Sequence, residues 1–557
     1  MSVKSIKTIR QKLIVMIGIG VISLLWILPG FLGESGIPAV INQDTIFHLS
    51  RINGLGDIWK SPVSFENFNN TGTIVNQFYP WLLIYPAYLL SKYIGLVGAY
   101  WTYIWFITFV TALSSYWAFK QLNRNVNNTY ALLFSVLYTG SAYRAVDIFN
   151  RGALGETITF IFLPLVFVGF INILFRDGKR WWMLTLGMTG IVYSHVVTTF
   201  IVSFLMGIVI IVSWFSLDAK SDRFLSFLKA TILTLITTAF VYIPELEQLL
   251  HQSIYTPRAL PLEGVNPIKE VIASLGNLIT KYYTLGIFSI LSIVISLIVF
   301  PRLQKMDKNI FVFGLVLWII TSSLFPWQIL NETVFGQLVG HIQFLFRFNA
   351  IITLLFSYIG VKAIMVIVNR KNLNIGHVLI LSCMLVISVN FFSVKQLYRS
   401  TEYNLVTNSN AASLVNKVDR YKDYRSLASI SSMEDINDHH VYVEGKKVKS
   451  SIIFQGSKAL IKILDVEAGD KVDIPFFKYK GVNITSNRVT LQPNVSGRGT
   501  MLVVAPEKLH EMKIEYQYTN VAKCSALISI GGLLVVTFLP VLSKFSVVTS
   551  RKQFMTL

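Results

Sequence analysis

The chain has 557 residues, of which 53% are hydrophobic and 14% charged, and its formal net charge is +20. A composition this apolar excludes an ordinary soluble protein and indicates a polytopic membrane protein. The lysines and arginines occur in short clusters between apolar segments, as the positive-inside rule expects, so the charge does not indicate a nucleic-acid-binding protein.

The N-terminus combines a basic start with a long apolar run. Basic residues lie between positions 4 and 12, and the apolar run extends over about 13–32 without an evident small-residue cleavage site. We therefore expect an uncleaved signal anchor. Gly18 and Gly20 form a G-x-G inside this run, and we expect them to serve helix packing at most.

The next stretch, 42–51, reads NQDTIFHLSR and is predicted to be a helix in an external loop at 33–78. A helix would place Asp44, His48 and Arg51 at i, i+4 and i+7 on one face. A carboxylate, an imidazole and a guanidinium in that arrangement suit proton transfer beside a phosphate. The alternative is that Asp44 is only a helix N-cap and that His48 and Arg51 point into water.

The segment 78–90, FYPWLLIYPAYLL, is apolar but short, and two prolines interrupt it. We expect it to be interfacial or re-entrant rather than spanning. If this segment does not span, the cytoplasmic end of every predicted span carries a basic cluster. This pattern predicts about twelve transmembrane helices with both termini cytoplasmic. The predicted spans cover about 13–32, 97–119, 128–146, 156–175, 181–193, 196–215, 226–243, 284–300, 310–325, 347–368, 376–393 and 523–545.

Several polar residues then fall on the external side of the predicted spans. Arg151 and Glu156 flank the turn in NRGALGE, and His195 follows the fifth span. Each has a plain alternative, because Arg151 and Glu156 can simply pair at a span boundary and His195 can be a satisfied structural residue. Gln343 and Arg347 are predicted to share one helix face, where Arg347 must either snorkel or meet an anion.

Residues 396–520 are polar, and short strand-like segments occur at 440–443, 459–463, 487–491 and 501–504. This pattern predicts a small β-sandwich, placed outside the membrane, that acts as a lid or scaffold or as a separate enzymatic domain. The predicted domains are a transmembrane domain at 1–395, an extracytoplasmic β-rich domain at 396–520, and a final helix with a cytoplasmic tail at 521–557. Cys383 and Cys524 suggest neither a disulfide framework nor a metal site.

The order of these motifs resembles bacterial GT-C-type membrane glycosyltransferases. It is similar to the branch called 6-pyruvoyl-tetrahydropterin synthase-related membrane proteins, a label without pterin chemistry, and to the YfhO-like family. The resemblance rests on D-x-x-F-H-x-x-R, F-Y-P, R-G-A-L-G-E, a Ser-His pair and Q-F-x-x-R-F, which begin at Asp44, Phe78, Arg151, Ser194 and Gln343.

The resemblance implies a GT-C-like, mostly α polytopic fold and an enzyme of the cell membrane with an extracytoplasmic active site. It would transfer a sugar from a polyprenyl-phosphate donor to a cell-envelope glycan, lipid or polymer acceptor. Catalysis would fall to Asp44, His48 and Arg51, and substrate binding to the residues Arg151, Glu156, His195, Gln343 and Arg347. Many such enzymes have paired acids where Asn42 and Gln43 precede Asp44 here, so a divalent metal cofactor is doubtful.

Two other functions remain open from the sequence. One is a transporter or flippase for a lipid-linked glycan, which would be expected to have charges at the membrane midplane and often repeated halves. The other is a non-catalytic assembly protein for cell-surface polysaccharide. No P-loop, dinucleotide fingerprint or zinc helix is present in the sequence, which disfavours an ATP-driven pump.

Overall fold

The structure is a computed structural model that describes residues 3–31, 36–416 and 422–553. Positions 32–35, at the start of the predicted external loop, and 417–421, in the predicted β-rich domain, lie outside the described residues, as do positions 554–557 of the predicted tail. The described chain is mostly helical, with its strands concentrated towards the C-terminus.

Helices of very different lengths follow one another along the chain. The first eleven are α1 Val3–Ile27, α2 Thr45–Asn53, α3 Val75–Phe78, α4 Tyr85–Leu122, α5 Asn128–Thr139, α6 Ala142–Ala145, α7 Leu154–Phe175, α8 Trp181–Val192, α9 Val196–Ser213, α10 Lys220–Thr237 and α11 Ala239–His251. The others are α12 Pro267–Leu275, α13 Ile287–Val299, α14 Lys305–Thr321, α15 Trp327–Asn331, α16 Val334–Val339, α17 Asn349–Lys371, α18 Ile375–Ser400, α19 Ala411–Asn416, α20 Met433–Asn437 and α21 Asn520–Gln553.

Seven helical segments of the described chain are long and apolar enough to cross a membrane, or eight if α10 and α11 form one bent span. They confirm seven of the predicted spans, those that begin near residues 13, 97, 156, 196, 347, 376 and 523, and show a multi-pass membrane protein. The bent pair corresponds to the predicted span at 226–243. The remaining four predicted spans coincide with helices of 12 to 17 residues, α5, α8, α13 and α14.

The predicted interfacial segment is not one continuous helix. Residues 79–84 follow α3 in a non-helical turn, and α4 then begins at Tyr85. Within α4 the backbone breaks at Gly95, which has φ 71°. A positive φ of this kind suits glycine, which has no Cβ to clash with the backbone. Only residues 85–94 therefore precede the break, and that length is too short to span a bilayer.

The chain divides into two compact units. The first comprises Met1–Thr45, Tyr100–Thr234 and Arg258–Val406, and the second comprises Ile46–Ala99, Leu235–Pro257 and Thr407–Leu557. The first unit also contains an antiparallel pair of strands, β1 Ile37–Val40 and β2 Tyr403–Val406. The domain boundaries at 395 and 520 stay a prediction.

The second unit contains the predicted β-sandwich. Its strands are β3 Val441–Val443, β4 Lys446–Val448, β5 Ser450–Gln455, β6 Lys458–Val466, β7 Lys471–Ile474, β8 Val482–Ser486, β9 Val489–Leu491, β10 Asn494–Val495, β11 Met501–Val504 and β12 Leu509–Tyr516. They form two five-stranded sheets, ordered β10-β11-β7-β3-β4 and β5-β6-β12-β8-β9. All four predicted strand segments are confirmed, by β3, β6, β9 and β11.

Both sheets contribute to one hydrophobic core because their strands alternate between buried and exposed residues. In β6, for example, Ile461 and Ile463 are fully buried whereas Lys462 is exposed. The core also takes in side chains from residues 63–78 of the same unit. The Phe65 ring lies 4.9 Å from the ring of Phe476.

Candidate active site

Asp44 lies directly before the first residue of α2, so it occupies the start of the helix rather than a position within it. The prediction that Asp44, His48 and Arg51 follow one another on a helix face is therefore wrong for Asp44. Its backbone N–H donates to the Arg151 carbonyl at 2.8 Å. Gly152 has φ 63°, and a Cβ there would lie 2.0 Å from Thr45 Oγ1, so only glycine fits beside the start of α2.

The carboxylate of Asp44 is half-buried, and among the described residues it has no hydrogen bond and no ion pair. Burial raises its pKa above the usual range for aspartate, and the nearby Glu156 carboxylate raises it further. The charges of Arg151 and Arg347 oppose this shift without cancelling it. An unpaired carboxylate with a raised pKa can accept a proton, which is what general-base chemistry requires.

Arg151 belongs to a buried charge cluster built on the π-helical segment Val146–Arg151. Its Nη1 donates to Asp147 Oδ1 at 2.7 Å and to Glu156 Oε2 at 2.8 Å. The Tyr143 hydroxyl donates to Glu156 Oε1 at 2.6 Å. Burial, followed by the charge of Glu156, holds the pKa of Asp147 well above its usual range. Two buried carboxylates thus share one guanidinium, and the repulsion between them contributes to the raised pKa of Asp147.

Arg347 and Gln343 contact each other, but the predicted helix that would carry both is wrong. Gln343 has φ 66° and lies between two short 3₁₀ segments, the second of which is Leu345–Phe348. Arg347 Nη1 donates to Gln343 Oε1 at 3.1 Å and to the Ile342 carbonyl at 2.7 Å. The irregular backbone replaces the i, i+4 helical contact with a turn that holds the same two side chains together.

Two arginines of the first unit flank a pair of stacked aromatic rings. The rings of Phe344 and Phe346 have centroids 5.1 Å apart and are nearly parallel. The Arg151 guanidinium lies 5.0 Å from the Phe346 ring, and that of Arg347 lies 5.3 Å from the Phe344 ring. Cation–π contacts stabilise positive charge near the Asp44 carboxylate without neutralising it.

His195 lies at the N-cap position of α9. The Thr198 backbone N–H donates to His195 Nδ1 at 3.3 Å, and the Thr198 hydroxyl lies 2.8 Å from the same atom. His195 nevertheless lies within electrostatic range of Glu156, as do Arg151 and Arg347. The structure therefore brings together Asp44 and all five predicted substrate-binding residues, with Gln343 joined through Arg347.

His48 and Arg51 belong to the second unit and are almost fully buried. Arg51 donates from Nε to Asn76 Oδ1 at 3.1 Å and from Nη1 to His48 Nδ1 at 3.1 Å. Its Nη2 donates to the carbonyls of Tyr79 and Pro80, at 2.8 and 3.0 Å. These bonds hold the first residues of the non-helical turn that follows α3. The catalytic role of His48 and Arg51 stays a prediction.

Some neighbours of Asp44 were not among the predicted binding residues. Gln43 Nε2 donates to the Tyr282 hydroxyl at 2.5 Å, and the Tyr282 ring lies 5.6 Å from the Phe346 ring. Adjacency to Asp44 could have suggested Gln43. Tyr282 lies far away in sequence, in a loop without periodicity, so no local signal pointed to it.

A divalent metal does not fit the residues present. Among the described residues, no group of three or more His, Cys, Asp or Glu side chains is arranged to hold a metal ion. The two charges that most affect the pKa of Asp44 belong to Arg151 and Arg347, and both would repel a cation. Metal binding normally needs several oxygen or nitrogen ligands that converge on one point, and Asp44 supplies a single carboxylate.

No protein family model and no curated protein matches the chain. Among solved structures it is similar to the cryo-EM structure of the arabinofuranosyltransferase AftD from Mycobacteria, with 12% sequence identity and a TM-score of 0.43. The match covers 68% of this chain and 26% of that enzyme, so this chain spans about a quarter of the enzyme's length. A score this low does not establish a common fold.

Proposed function

We propose that the chain is a GT-C-type membrane glycosyltransferase. It moves a sugar from a polyprenyl-phosphate donor to a cell-envelope glycan, lipid or polymer acceptor on the outer membrane face. The observation that carries the proposal is the half-buried, unpaired Asp44 carboxylate within the electrostatic range of two arginines. A base beside two cations suits a reaction in which a hydroxyl loses its proton while a phosphate leaves.

In the proposed reaction, Asp44 accepts the proton of the acceptor hydroxyl. The hydroxyl oxygen forms a bond to the anomeric carbon, and the bond from that carbon to the phosphate oxygen breaks. The electron pair leaves with the lipid phosphate, whose charge Arg347 and Arg151 stabilise. Such electrostatic stabilisation contributes roughly several kcal/mol in a water-poor site. Attack opposite the leaving phosphate would invert the anomeric configuration.

The other residues of the cluster have supporting roles. Glu156 and Asp147 hold the Arg151 guanidinium in one orientation through two short ion pairs. Gln343 orients Arg347 in the same way through a single hydrogen bond. Because none of these roles requires a cation, no step is assigned to a metal.

The proposal is tested by measuring sugar transfer in proteoliposomes from a panel of radiolabelled polyprenyl-phosphate sugars. Asp44→Asn keeps the size and most hydrogen bonding of the side chain but removes the base, so transfer should fall by about 10²–10⁴-fold. The matched control is Asp177→Asn, the same change at an exposed aspartate, and it should leave transfer unchanged.

Near-normal transfer by Asp44→Asn would return Asp44 to a helix-capping role, because asparagine and aspartate cap helices equally well. Two results together would contradict the glycosyltransferase assignment. The wild-type protein would transfer no sugar of the panel, and a strain from which its gene is deleted would accumulate no lipid-linked sugar. Movement of a lipid-linked glycan across the bilayer without transfer would support the transporter instead.

The proposed orientation has its own test. Lys462 in β6 and Lys220 at the start of α10 are both exposed. In intact cells, with Cys383 and Cys524 replaced, we expect Lys462→Cys to react with an impermeant thiol reagent and Lys220→Cys to react only after lysis. Labelling of both from outside would contradict an extracytoplasmic β domain and cytoplasmic basic loops.

A further inference from the structure

Three arginines of the first unit meet where two long helices end. Arg176 directly follows α7, and its Nη2 donates to the Leu122 carbonyl at the end of α4 at 2.8 Å. Arg180 donates from Nη1 to the side chain of Gln121, also at the end of α4. Arg223 lies in α10 and donates from Nη1 to the Arg176 carbonyl at 3.2 Å. We call Arg176, Arg180 and Arg223 the arginine cluster.

The loop between α7 and α8 carries two members of this cluster and packs against α10, which carries the third. Gly178 lies in the middle of the loop, and a Cβ there would lie 3.1 Å from Ser226 Oγ in α10. Arg223 Nη1 also donates to the Ile173 carbonyl in the last turn of α7, at 2.7 Å. The arginine cluster therefore occupies one edge of the first unit, which is predicted to be a cytoplasmic edge.

Neutral oxygen atoms hold the arginine cluster in place. Among the described residues, none of its guanidinium groups forms an ion pair with a carboxylate. Within the described chain, Arg176 and Arg180 each bond through one terminal nitrogen, and Arg223 bonds through Nε and Nη1. A guanidinium has five N–H groups, so each of these partly buried side chains keeps donors for a further acceptor.

The surroundings of the arginine cluster are positively charged. The helix end and loops at 120–124, 176–180 and 218–223 contain seven basic residues and three acidic ones. The acidic residues do not neutralise this edge, so an anion is attracted to it and a cation is repelled. An anionic partner therefore fits both the charge and the remaining donors.

Aromatic side chains border the arginine cluster. Trp182 lies two residues after Arg180, and its ring is 6.2 Å from the ring of Trp117 in α4. Phe175 and Phe224 directly adjoin two cluster members in sequence and are 46% and 57% exposed. Tryptophan is typical of the membrane–water interface, and exposed phenyl rings suit acyl chains. A soluble phosphate would use only the arginines, whereas a phospholipid would use both kinds of surface.

We propose that the arginine cluster binds the phosphate headgroup of an anionic phospholipid of the surrounding bilayer. Forked guanidinium groups match phosphate oxygens, and basic pockets between transmembrane helices attract anionic headgroups. A zwitterionic lipid offers the same phosphate, but the surrounding positive charge repels its ammonium group. The bound lipid would join the ends of α4, α7 and α10 at the bilayer surface. The proposal does not depend on glycosyl transfer, because no cluster member belongs to the candidate active site.

The test is native mass spectrometry of the full-length protein, released from nanodiscs that contain equal amounts of phosphatidylglycerol and phosphatidylcholine with the same acyl chains. We expect the wild type to retain about tenfold more phosphatidylglycerol than phosphatidylcholine. The double variant Arg176→Gln and Arg180→Gln removes two of the three guanidinium groups, so this ratio should fall at least about fivefold.

The matched control is the double variant Arg302→Gln and Arg370→Gln. It removes the same charge from two exposed arginines at other helix ends of the first unit, and it should keep the wild-type ratio. An equal fall in both double variants would overturn the site, because lipid selection would then follow overall charge. An unchanged ratio in Arg176→Gln with Arg180→Gln would also overturn it and leave the arginines as caps of helix C-termini.

A second double variant, Arg176→Lys with Arg180→Lys, decides the question if the glutamine variant does not fold. Lysine keeps the positive charge at the helix ends but lacks the fork, so we expect the lipid ratio to fall about threefold. A wild-type ratio in this variant would contradict recognition of phosphate by the guanidinium groups.

Millimolar inorganic phosphate, added before release from the nanodiscs, separates a lipid headgroup from a soluble anion. Retained phosphatidylglycerol should not change, because a free phosphate lacks the apolar contacts of the lipid. Displacement of the lipid by phosphate would overturn the proposal in favour of a soluble anion. Equal retention of the two lipids by the wild type would overturn it as well.

Discussion

Arg151 and Arg51 are both buried, yet they are held by partners of different kinds. Arg151 bonds two carboxylates, whereas Arg51 bonds neutral groups and lies 4.2 Å from the ring of Tyr79. Burial lowers the pKa of Arg51 to about 10, so it still carries its charge at neutral pH. Arg151 therefore belongs to an electrostatic cluster around the unpaired carboxylate of Asp44, whereas Arg51 stabilises a backbone turn.

The comparison indicates that a buried arginine is a functional candidate only when its charge can act on something other than its own partners. Arg151 influences the pKa of Asp44, which it does not bind through its side chain. The hydrogen bonds of Arg51 instead connect it to backbone carbonyls and to side chains of its own unit, His48 and Asn76. Four predictions test this distinction, beginning with the largest expected effect.

Arg151→Leu removes the guanidinium that pairs with both Asp147 and Glu156. We expect a loss of about 3–5 kcal/mol in the free energy of unfolding, because an uncompensated buried charge is expensive. The thermal unfolding midpoint in detergent measures this, with the exposed Arg124→Leu as control. Adding Asp147→Asn and Glu156→Gln should restore most of the loss, and an unchanged midpoint in the single variant would contradict the cluster's role.

Arg51→Lys keeps the charge but loses the forked geometry that reaches Asn76 and the carbonyls of Tyr79 and Pro80. With about 1 kcal/mol for each lost hydrogen bond, we expect unfolding to become easier by about 2–3 kcal/mol. The transfer rate per folded molecule should stay within about twofold of wild type. Normal stability with a rate more than about tenfold lower would instead support the catalytic role predicted from the sequence.

Arg347→Lys should have the opposite profile. It should unfold nearly as wild type does, but kcat for transfer should fall about 10–100-fold because lysine binds phosphate as a point charge rather than through a fork. The matched control is the exposed Arg370→Lys at the end of α17. An unchanged kcat would remove Arg347 from the phosphate site.

Asp44→Asn should give the smallest change in stability, and in the stabilising direction. Burial raises the folded-state pKa of Asp44, so the folded state binds this proton more tightly than the unfolded state does. Protonated Asp44 stabilises the folded state below the pKa that Asp44 has in the unfolded chain. This stabilisation is lost as the pH rises through the pKa that Asp44 has in the folded protein. The variant should therefore unfold at a slightly higher temperature than wild type at pH 7, and this advantage should disappear in acid.

The same raised pKa sets the pH dependence of transfer, which should increase with pH as Asp44 loses its proton. Equal stabilities of wild type and Asp44→Asn at pH 7, together with normal transfer, would mean that Asp44 is a solvated cap. A less stable variant would contradict the unpaired state of the carboxylate.

The sequence predicted structural elements correctly where the signal lies within one continuous segment. Short strand-like segments predicted the strands around Ile461 and Val503, and apolar length predicted the seven long spans. The motif order predicted residues that lie together around Asp44, although they come from distant segments. These residues come together through tertiary packing, which the sequence predicted only through its resemblance to a known family.

The rest depended on features that have no local pattern. Tyr282 contacts Gln43 from a loop that gives no periodic signal in the sequence. The turn at Gln343 replaced an expected helix because its φ of 66° breaks the helical pattern. The contact between Tyr282 and Gln43 joins segments far apart in sequence, where periodicity carries no information.

The burial of Phe65 and Phe78 in the core of the β-sandwich has a consequence for biosynthesis. These side chains leave the ribosome early, but the strands that cover them follow roughly 360 residues later, a delay of about 20–70 s at typical synthesis rates. During that interval the segment must be kept from aggregating by the bilayer surface or by a chaperone. The sandwich can close only after the first eleven predicted spans have been made, so its closure is a late step in biosynthesis.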